Sequence, residues 1–152
     1  MRPRLSRPLA LGVALLLAMP AAAEPLPGVD NEPRARVNYM LNCQGCHGPQ
    51  GAGTPDGAVP RMRGVVAKFL ELPEGRDFLV RVPGSANSAL SNAQLAEVLN
   101  WMLWTISRQT VPEDFLPYTA QEVQALRAQP PLVDVVSLRT ALIERLGAGG
   151  GR

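Results

Sequence analysis

The amino-acid sequence predicts an all-α fold in which short helices are joined by long loops. Apolar residues recur at intervals of three and four along several segments, a spacing that places them on one face of a helix. No segment of any length shows the strict alternation of apolar and polar residues that is typical of a strand. Glycine and proline, with 14 and 15 residues, dominate the segments between the periodic ones and predict loops there.

The first predicted helix leads directly into a cysteine. Residues 24–33 are rich in proline and acidic residues and are expected to form an extended leader. From residue 34 to 42 the spacing becomes helical, and it places Ala35, Tyr39 and Cys43 on one face.

The middle of the chain contains the strongest helical pattern. It begins after Ser91, a plausible N-cap, and cannot continue past Pro112. Its apolar stripe comprises Leu95, Val98, Leu99, Met102 and Leu103, with Trp101 and Trp104 alongside. Weaker patterns predict short helices at 64–72, closed by Pro73, and at 76–81, with loops at 48–60 and 83–90.

Residues 111–152 are predicted to form a helical C-terminal extension. Thr119 and Glu122 have the spacing of a capping box, which predicts a helix to about residue 128. After two prolines, a last helix is expected at 132–146. The extension is too apolar for a free tail, so we expect it to pack on the preceding domain.

Residues 1–23 have the three parts of a secretory signal peptide: arginines near the start, an apolar stretch, and small residues up to Ala23. We expect cleavage after Ala23 and export to the periplasm, because the apolar run is too short to be a comfortable membrane anchor. No later segment is long and apolar enough to span a bilayer. Without residues 1–23 the chain has 12 basic and 13 acidic residues, so its charge does not favour nucleic acid or an anionic membrane as a partner.

Both cysteines and the only histidine of the chain lie together as Cys43, Cys46 and His47. The spacing C-x-x-C-H is the attachment signature of c-type haem. It lets two thiols reach the vinyl groups on one porphyrin edge while the histidine binds iron from one face. A redox-active dithiol of the thioredoxin type usually follows a strand and opens a helix, and a structural zinc site needs four ligands. The pattern therefore favours covalent haem, with a disulfide as the main alternative.

On this motif, with Gly51 and Gly53 behind it, the sequence resembles the class I, monohaem c-type cytochromes over residues 34–106. The resemblance implies a cytochrome c-like fold around one covalent haem c, in a domain spanning residues 34–110. It assigns the thioether bonds to Cys43 and Cys46 and the axial iron bond to His47.

The resemblance also implies two contacts. Ala35 and Tyr39 should cross the last helix of the domain near Val98 and Trp101. The carbonyl of Pro60 should accept a hydrogen bond from the ligand histidine and fix its ring.

The sequence departs from the family at the second axial ligand, which is normally a methionine just before the last helix. Residues 82–90 contain neither methionine nor histidine. Met102 is a candidate second ligand, although its helical spacing is more typical of packing, while Met62 is expected in the core and Met40 against the haem edge. Otherwise the sixth position is empty, holds water, or takes a weaker group such as Asn87.

Three functions are compatible with these features. The first is a periplasmic electron carrier without catalytic residues, which passes single electrons from a dehydrogenase to a respiratory oxidase or reductase. The second is a haem protein that binds NO or CO at an open sixth position. The third is a cytochrome subunit of a larger oxidoreductase, docked through residues 111–152. Basic residues between positions 61 and 81 could steer an acidic partner, bind a haem propionate, or form a solvated face.

Overall fold

The computed structural model describes residues 24–149, and all regular structure in that range is helical, which confirms the predicted fold class there. The signal peptide expected at residues 1–23 lies outside the described range. None of the described helices is long and apolar enough to cross a membrane. The α-helices are α1 (Glu32–Asn42), α2 (Gln44–His47), α3 (Pro73–Arg81), α4 (Pro83–Ala86), α5 (Asn92–Ile106), α6 (Ala120–Arg127) and α7 (Val135–Gly149), and two 3-10 helices are η1 (Val66–Glu71) and η2 (Arg108–Thr110).

Helix α5 forms the centre of the fold and packs against α1, α6 and η2. The predicted N-cap is confirmed: Oγ of Ser91 accepts a hydrogen bond from the backbone N–H of Gln94 at 3.2 Å. The side chain of Gln94 returns the contact by accepting from the N–H of Ser91 at 2.9 Å. This capping box satisfies backbone groups that would otherwise lack partners at the start of the helix.

Helix α1 crosses α5 through the face that the sequence predicts. Ala35 and Tyr39 are almost completely buried. The ring of Tyr39 lies 5.3 Å from that of Trp101, centroid to centroid, with an interplanar angle of 48°. The predicted crossing of these two helices is therefore confirmed.

The leader is shorter than expected, because α1 begins at Glu32 rather than at residue 34. Oδ1 of Asn31 accepts a hydrogen bond from the N–H of Arg34 at 2.9 Å and caps the helix. The leader is also fixed along α5, where Asn100 donates to the carbonyl of Gly28 at 2.9 Å and Trp104 donates to that of Pro27 at 3.3 Å.

Two features of the middle segment differ from the sequence prediction. The helix predicted at 76–81 begins earlier, because Pro73, which follows the end of η1 as expected, is also the first residue of α3, where a proline is tolerated because the first helical N–H needs no partner. The loop expected at residues 83–90 begins with the short helix α4. Phe69 of η1 stacks on Phe78 of α3 at 5.5 Å, and this contact joins the two elements.

The C-terminal extension packs on the rest of the chain through α6, which contacts α5 and α3, and through α7, which contacts η1. Arg76 connects α3 to the extension. It donates to both carboxylate oxygens of Glu122, at 2.6 and 2.8 Å, and its guanidinium lies 4.1 Å from the ring centroid of Tyr118.

This contact corrects the predicted capping box. Thr119 caps α6 as expected, accepting from the N–H of Glu122 at 3.2 Å, but the carboxylate of Glu122 pairs with Arg76 instead of returning to the cap. The last helix is also displaced toward the C-terminus, because Asp134 caps it by accepting from the N–H of Ser137 at 3.0 Å.

Candidate functional site

The Cys43–His47 segment is a single tight turn, in which Cys43 ends α1 and residues Gln44–His47 form α2. The N–H of Cys43 donates to the carbonyl of Tyr39 at 2.9 Å and ends α1, and the N–H of His47 donates to the carbonyl of Cys43 at 3.0 Å. The hydroxyl of Tyr39 then donates to the carbonyl of Gly48 at 2.8 Å, which ties the end of the turn back to α1. Three potential ligand side chains are thus presented from one short, well-anchored segment.

The two cysteines have free thiols in different surroundings, Cys43 being half-buried and Cys46 exposed. Burial, followed by the nearby Cys46, raises the pKa of the Cys43 thiol to about 11, so it is a neutral thiol at pH 7. Redox-active and metal-binding cysteines need the thiolate and have lowered pKa values. In addition, no cluster of three or more histidine, cysteine or acidic residues within residues 24–149 could hold a metal ion. The raised pKa of Cys43 disfavours the redox-active dithiol alternative.

The imidazole of His47 is oriented by a backbone carbonyl. Its Nδ1 lies 3.2 Å from the oxygen of Pro60. A carbonyl oxygen can only accept, so this contact places the ring proton on Nδ1 and leaves Nε2 free to bind a metal.

The loop after His47 folds back to bring Pro60 to the ring. Gly51 and Gly53 have φ angles of 64° and 70°. The carbonyl of Gly51 accepts from the N–H of Met62 at 2.8 Å. A Cβ on Gly53 would overlap the backbone of residues 59–61, so only glycine fits at this close approach.

An open cavity of about 230 Å³ lies beside this turn. Its lining is mostly apolar and includes both Cys43 and His47, whereas Cys46 is not part of the lining. The other lining residues come from α3, α5, η1, α7 and the loops, chiefly Val66, Phe69, Phe78, Leu79, Leu95, Val98, Leu99 and Val135. An apolar cavity that opens on a thiol and an oriented imidazole fits a covalently attached haem.

Two walls of this cavity bear on which group could occupy the sixth coordination position of a haem iron. The His47 wall consists of His47, Pro60, Arg61 and Met62, and the loop wall consists of Val82, Gly84, Ser85, Ser88 and Leu90. The loop wall contains no methionine or histidine, and Asn87 is exposed and does not line the cavity.

Both candidate methionine ligands, Met62 and Met102, line the cavity, and Met62 belongs to the His47 wall. A Cβ on Gly51 would lie 3.0 Å from Met62 and 3.0 Å from Ile106. Met102 is one helical turn before Ile106 on α5 and is 5% exposed. Met40, expected at the haem edge, is 47% exposed and does not line the cavity.

The loop wall is held by an arginine from the extension. Arg127 of α6 donates to the carbonyls of Leu90 (2.8 Å), Ser85 (3.0 Å) and Ser88 (3.3 Å). It also donates to Oγ of Ser88 at 2.8 Å and to Oδ1 of Asn92 at 3.1 Å.

Two residues of the site, Arg127 and Arg139 of α7, were not identified from the sequence. Arg139 lines the cavity, and Arg127 holds its loop wall. Neither belongs to a local motif, and only the docking of the extension brings them to the cavity.

The chain is similar to two proteins of Thermus thermophilus that are both named cytochrome c-552. Each is 32% identical over 111 residues, which cover 61% of this chain and 84% or 74% of the relative. No family model matches the chain, and no solved structure matches it.

Proposed function

The chain belongs to the class I, monohaem c-type cytochromes, which carry covalently bound haem c and transfer electrons, and we propose that it is a periplasmic carrier of single electrons. In this proposal a periplasmic dehydrogenase reduces it and a respiratory oxidase or reductase oxidises it. When bound, the haem iron supplies the one-electron chemistry by alternating between its ferrous and ferric states.

We assign the cofactor contacts to the turn at Cys43–His47. Cys43 and Cys46, whose thiols are both free, would form the thioether bonds by addition to the vinyl groups. His47 would bind the iron through Nε2, and the carbonyl of Pro60 holds its ring and tautomer. The observation that carries the assignment is that this oriented imidazole and the Cys43 thiol border one open, mostly apolar cavity.

Direct measurement of the attached cofactor tests this proposal. The full chain, produced with a working haem-ligation apparatus, should have the mass of the polypeptide from residue 24 onward plus one haem. It should titrate as a single one-electron couple. Cys43→Ser and Cys46→Ser should each lose one thioether bond, which shifts the pyridine haemochrome band. A colourless periplasmic product with the mass of the bare chain would refute the assignment.

Location is tested separately from chemistry. Recovery of the protein in the periplasmic fraction, with Glu24 as its first residue, would support the proposed signal peptide. Retention in the membrane fraction with an intact N-terminus would contradict it.

A second candidate function is the binding of a small neutral ligand such as CO or NO at the iron. It is favoured by the loop wall, which offers only aliphatic groups, glycine and serine hydroxyls where the family keeps its methionine. Histidine is excluded as a second ligand from this chain, because His47 is the only one.

Addition of CO to the reduced protein distinguishes the two functions. If CO leaves the spectrum unchanged and the Met102→Ala variant gains CO binding, Met102 is the second axial ligand and the carrier function stands alone. Met62→Ala is the matched control, since it also removes a thioether from the cavity. If CO binds the native protein readily, the sixth position is open and the second candidate is supported.

The third candidate function is a cytochrome subunit that docks on a larger oxidoreductase through residues 111–152. A cytochrome subunit would co-purify from native periplasm or membranes with its oxidoreductase. A freely soluble carrier would be recovered alone.

A further inference from the structure

The cavity contains two permanently charged side chains, Arg61 and Arg139, and no carboxylate among its lining residues. The rest of the lining is apolar or neutral, apart from the imidazole of His47. A cation facing an apolar cavity loses hydration that only an anion or a set of hydrogen-bond acceptors can replace. The charge pattern of the cavity is therefore complementary to an anionic group.

Arg139 lies on the face of α7 that packs against the protein. Of residues 135–148, four are shielded from solvent: Val135, Arg139, Leu142 and Leu146. Their spacing of four, three and four places them in one narrow stripe. Arg139 is thus the one charged residue within an otherwise aliphatic docking face.

The described part of the chain provides no acidic partner for Arg139. The ion pairs among residues 24–149 use Arg34, Arg76 and Arg145, the last pairing with Glu74 at 3.3 Å. Arg145 is on the same helix but is exposed and does not line the cavity. One arginine of α7 therefore pairs on the surface while the other is directed to the cavity.

We propose that Arg139 binds a haem propionate and that the C-terminal extension is a part of the haem site. This proposal rests on the proposed function. Haem carries its negative charge on propionate carboxylates, and a guanidinium matches a carboxylate through two parallel hydrogen bonds. Arg61, whose Nε donates to the carbonyl of Arg63 at 3.1 Å, supplies a second positive charge from the His47 wall. Helix α7 thereby closes the cavity and neutralises the cofactor that the cavity holds.

The test uses the holoprotein and three variants: Arg139→Gln, Arg139→Lys, and Arg145→Gln as the matched control on the same helix. Spectroelectrochemical titration measures the midpoint potential, and resonance Raman spectroscopy measures the propionate bending band. Removing the positive charge of Arg139 should favour the ferric state, because an unneutralised propionate stabilises the more positive iron. We expect a lower midpoint potential for Arg139→Gln, with a severalfold higher ferric-to-ferrous ratio at the native midpoint.

Arg139→Lys should keep the potential near the native value while shifting the propionate band, because lysine retains the charge but not the paired hydrogen bonds. If Arg139→Gln does not accumulate as holoprotein, the propionate band of Arg139→Lys still tests the inference. Arg145→Gln should change neither readout. An unchanged potential and an unchanged propionate band in Arg139→Gln would overturn the inference while leaving the proposed function intact. Absence of covalent haem from the native protein would instead refute the proposed function.

Discussion

The His47 wall and the loop wall border the same cavity, but they are held by contacts of different range along the chain. The contact between His47 and Pro60 spans 13 residues, and that between Tyr39 and Gly48 spans 9. The five hydrogen bonds that Arg127 makes to the loop wall span between 35 and 42 residues. One wall is assembled by its own segment, whereas the other depends on a separate part of the chain.

This difference has a consequence for stability and function. A short loop closes at a small entropic cost, so the His47 wall can form with little help from the rest of the fold. The loop wall gains hydrogen bonds from Arg127 only while α6 is docked, and local opening of α6 would remove them. The wall without methionine or histidine is therefore also the wall that receives hydrogen bonds from the extension.

The largest expected effect is on the His47 wall, through Gly53→Ala. The new Cβ would overlap the backbone of residues 59–61 at a φ of 70°, so the loop that carries Pro60 must move. We expect a loss of about 3–5 kcal/mol in the free energy of unfolding, measured by urea denaturation of the holoprotein. Gly57→Ala is the control, because Gly57 has a φ of 76° but no neighbour within 4 Å, and it should cost only about 1 kcal/mol. Equal losses in the two variants would show that this close approach does not hold the wall.

The next effect concerns the loop wall, through Arg127→Met. This change removes all five hydrogen bonds while retaining most of the aliphatic stem, and we expect a loss of about 2–4 kcal/mol. Amide hydrogen exchange should rise in residues 85–92 and remain unchanged in residues 47–53. The exposed Arg108, changed to Met, should alter neither measurement. Equal increases in both segments would mean that the two walls are not independently held.

A smaller loss in the free energy of unfolding is expected for Glu97→Gln, a change on α5 outside both walls. Burial opposes ionisation of Glu97, but hydrogen bonds from Arg34 and from the N–H of Asn31 outweigh it, so its pKa lies below the ordinary value of 4.5. A lowered carboxyl pKa stabilises the fold above the ordinary value, and this stability is lost as the pH falls through the folded pKa. Glu97→Gln should therefore cost about 1 kcal/mol at pH 7 and less in acid, as measured by unfolding at pH 7 and pH 3. A difference that does not change with pH would contradict the ion pair.

The smallest effect expected is that of Ser88→Ala, which removes one acceptor of Arg127 and leaves the backbone carbonyls in place. A cost of about 0.5–1 kcal/mol is expected in thermal or urea unfolding. Ser85→Ala is its control, because Arg127 contacts only the backbone carbonyl of Ser85. A loss of stability as large as that of Arg127→Met would mean that the hydroxyl of Ser88 alone, rather than all five hydrogen bonds of Arg127, stabilises the loop wall.

Local sequence patterns predicted the elements whose partners lie nearby. The cap at Ser91 follows from capping chemistry, and the shared face of Ala35 and Tyr39 follows from helical spacing. The crossing of Tyr39 on Trp101, which joins distant parts of the chain, was implied by the resemblance to the c-type cytochromes. The predictions failed where a distant side chain competed. Glu122 has the spacing to complete a capping box, but Arg76, 46 residues earlier, offers its carboxylate a charged partner.

The sequence by itself determined the helical class and predicted the haem chemistry at Cys43–His47, because helical periodicity and a five-residue motif are local properties of the chain. Only the tertiary structure decided which side chains complete the cavity. Arg127 reaches the loop wall and Arg139 reaches the cavity only after the extension docks on α3, α5 and η1. The physical reason is that both contacts depend on how helices pack, and packing is set by the whole apolar surface rather than by the residues around each arginine.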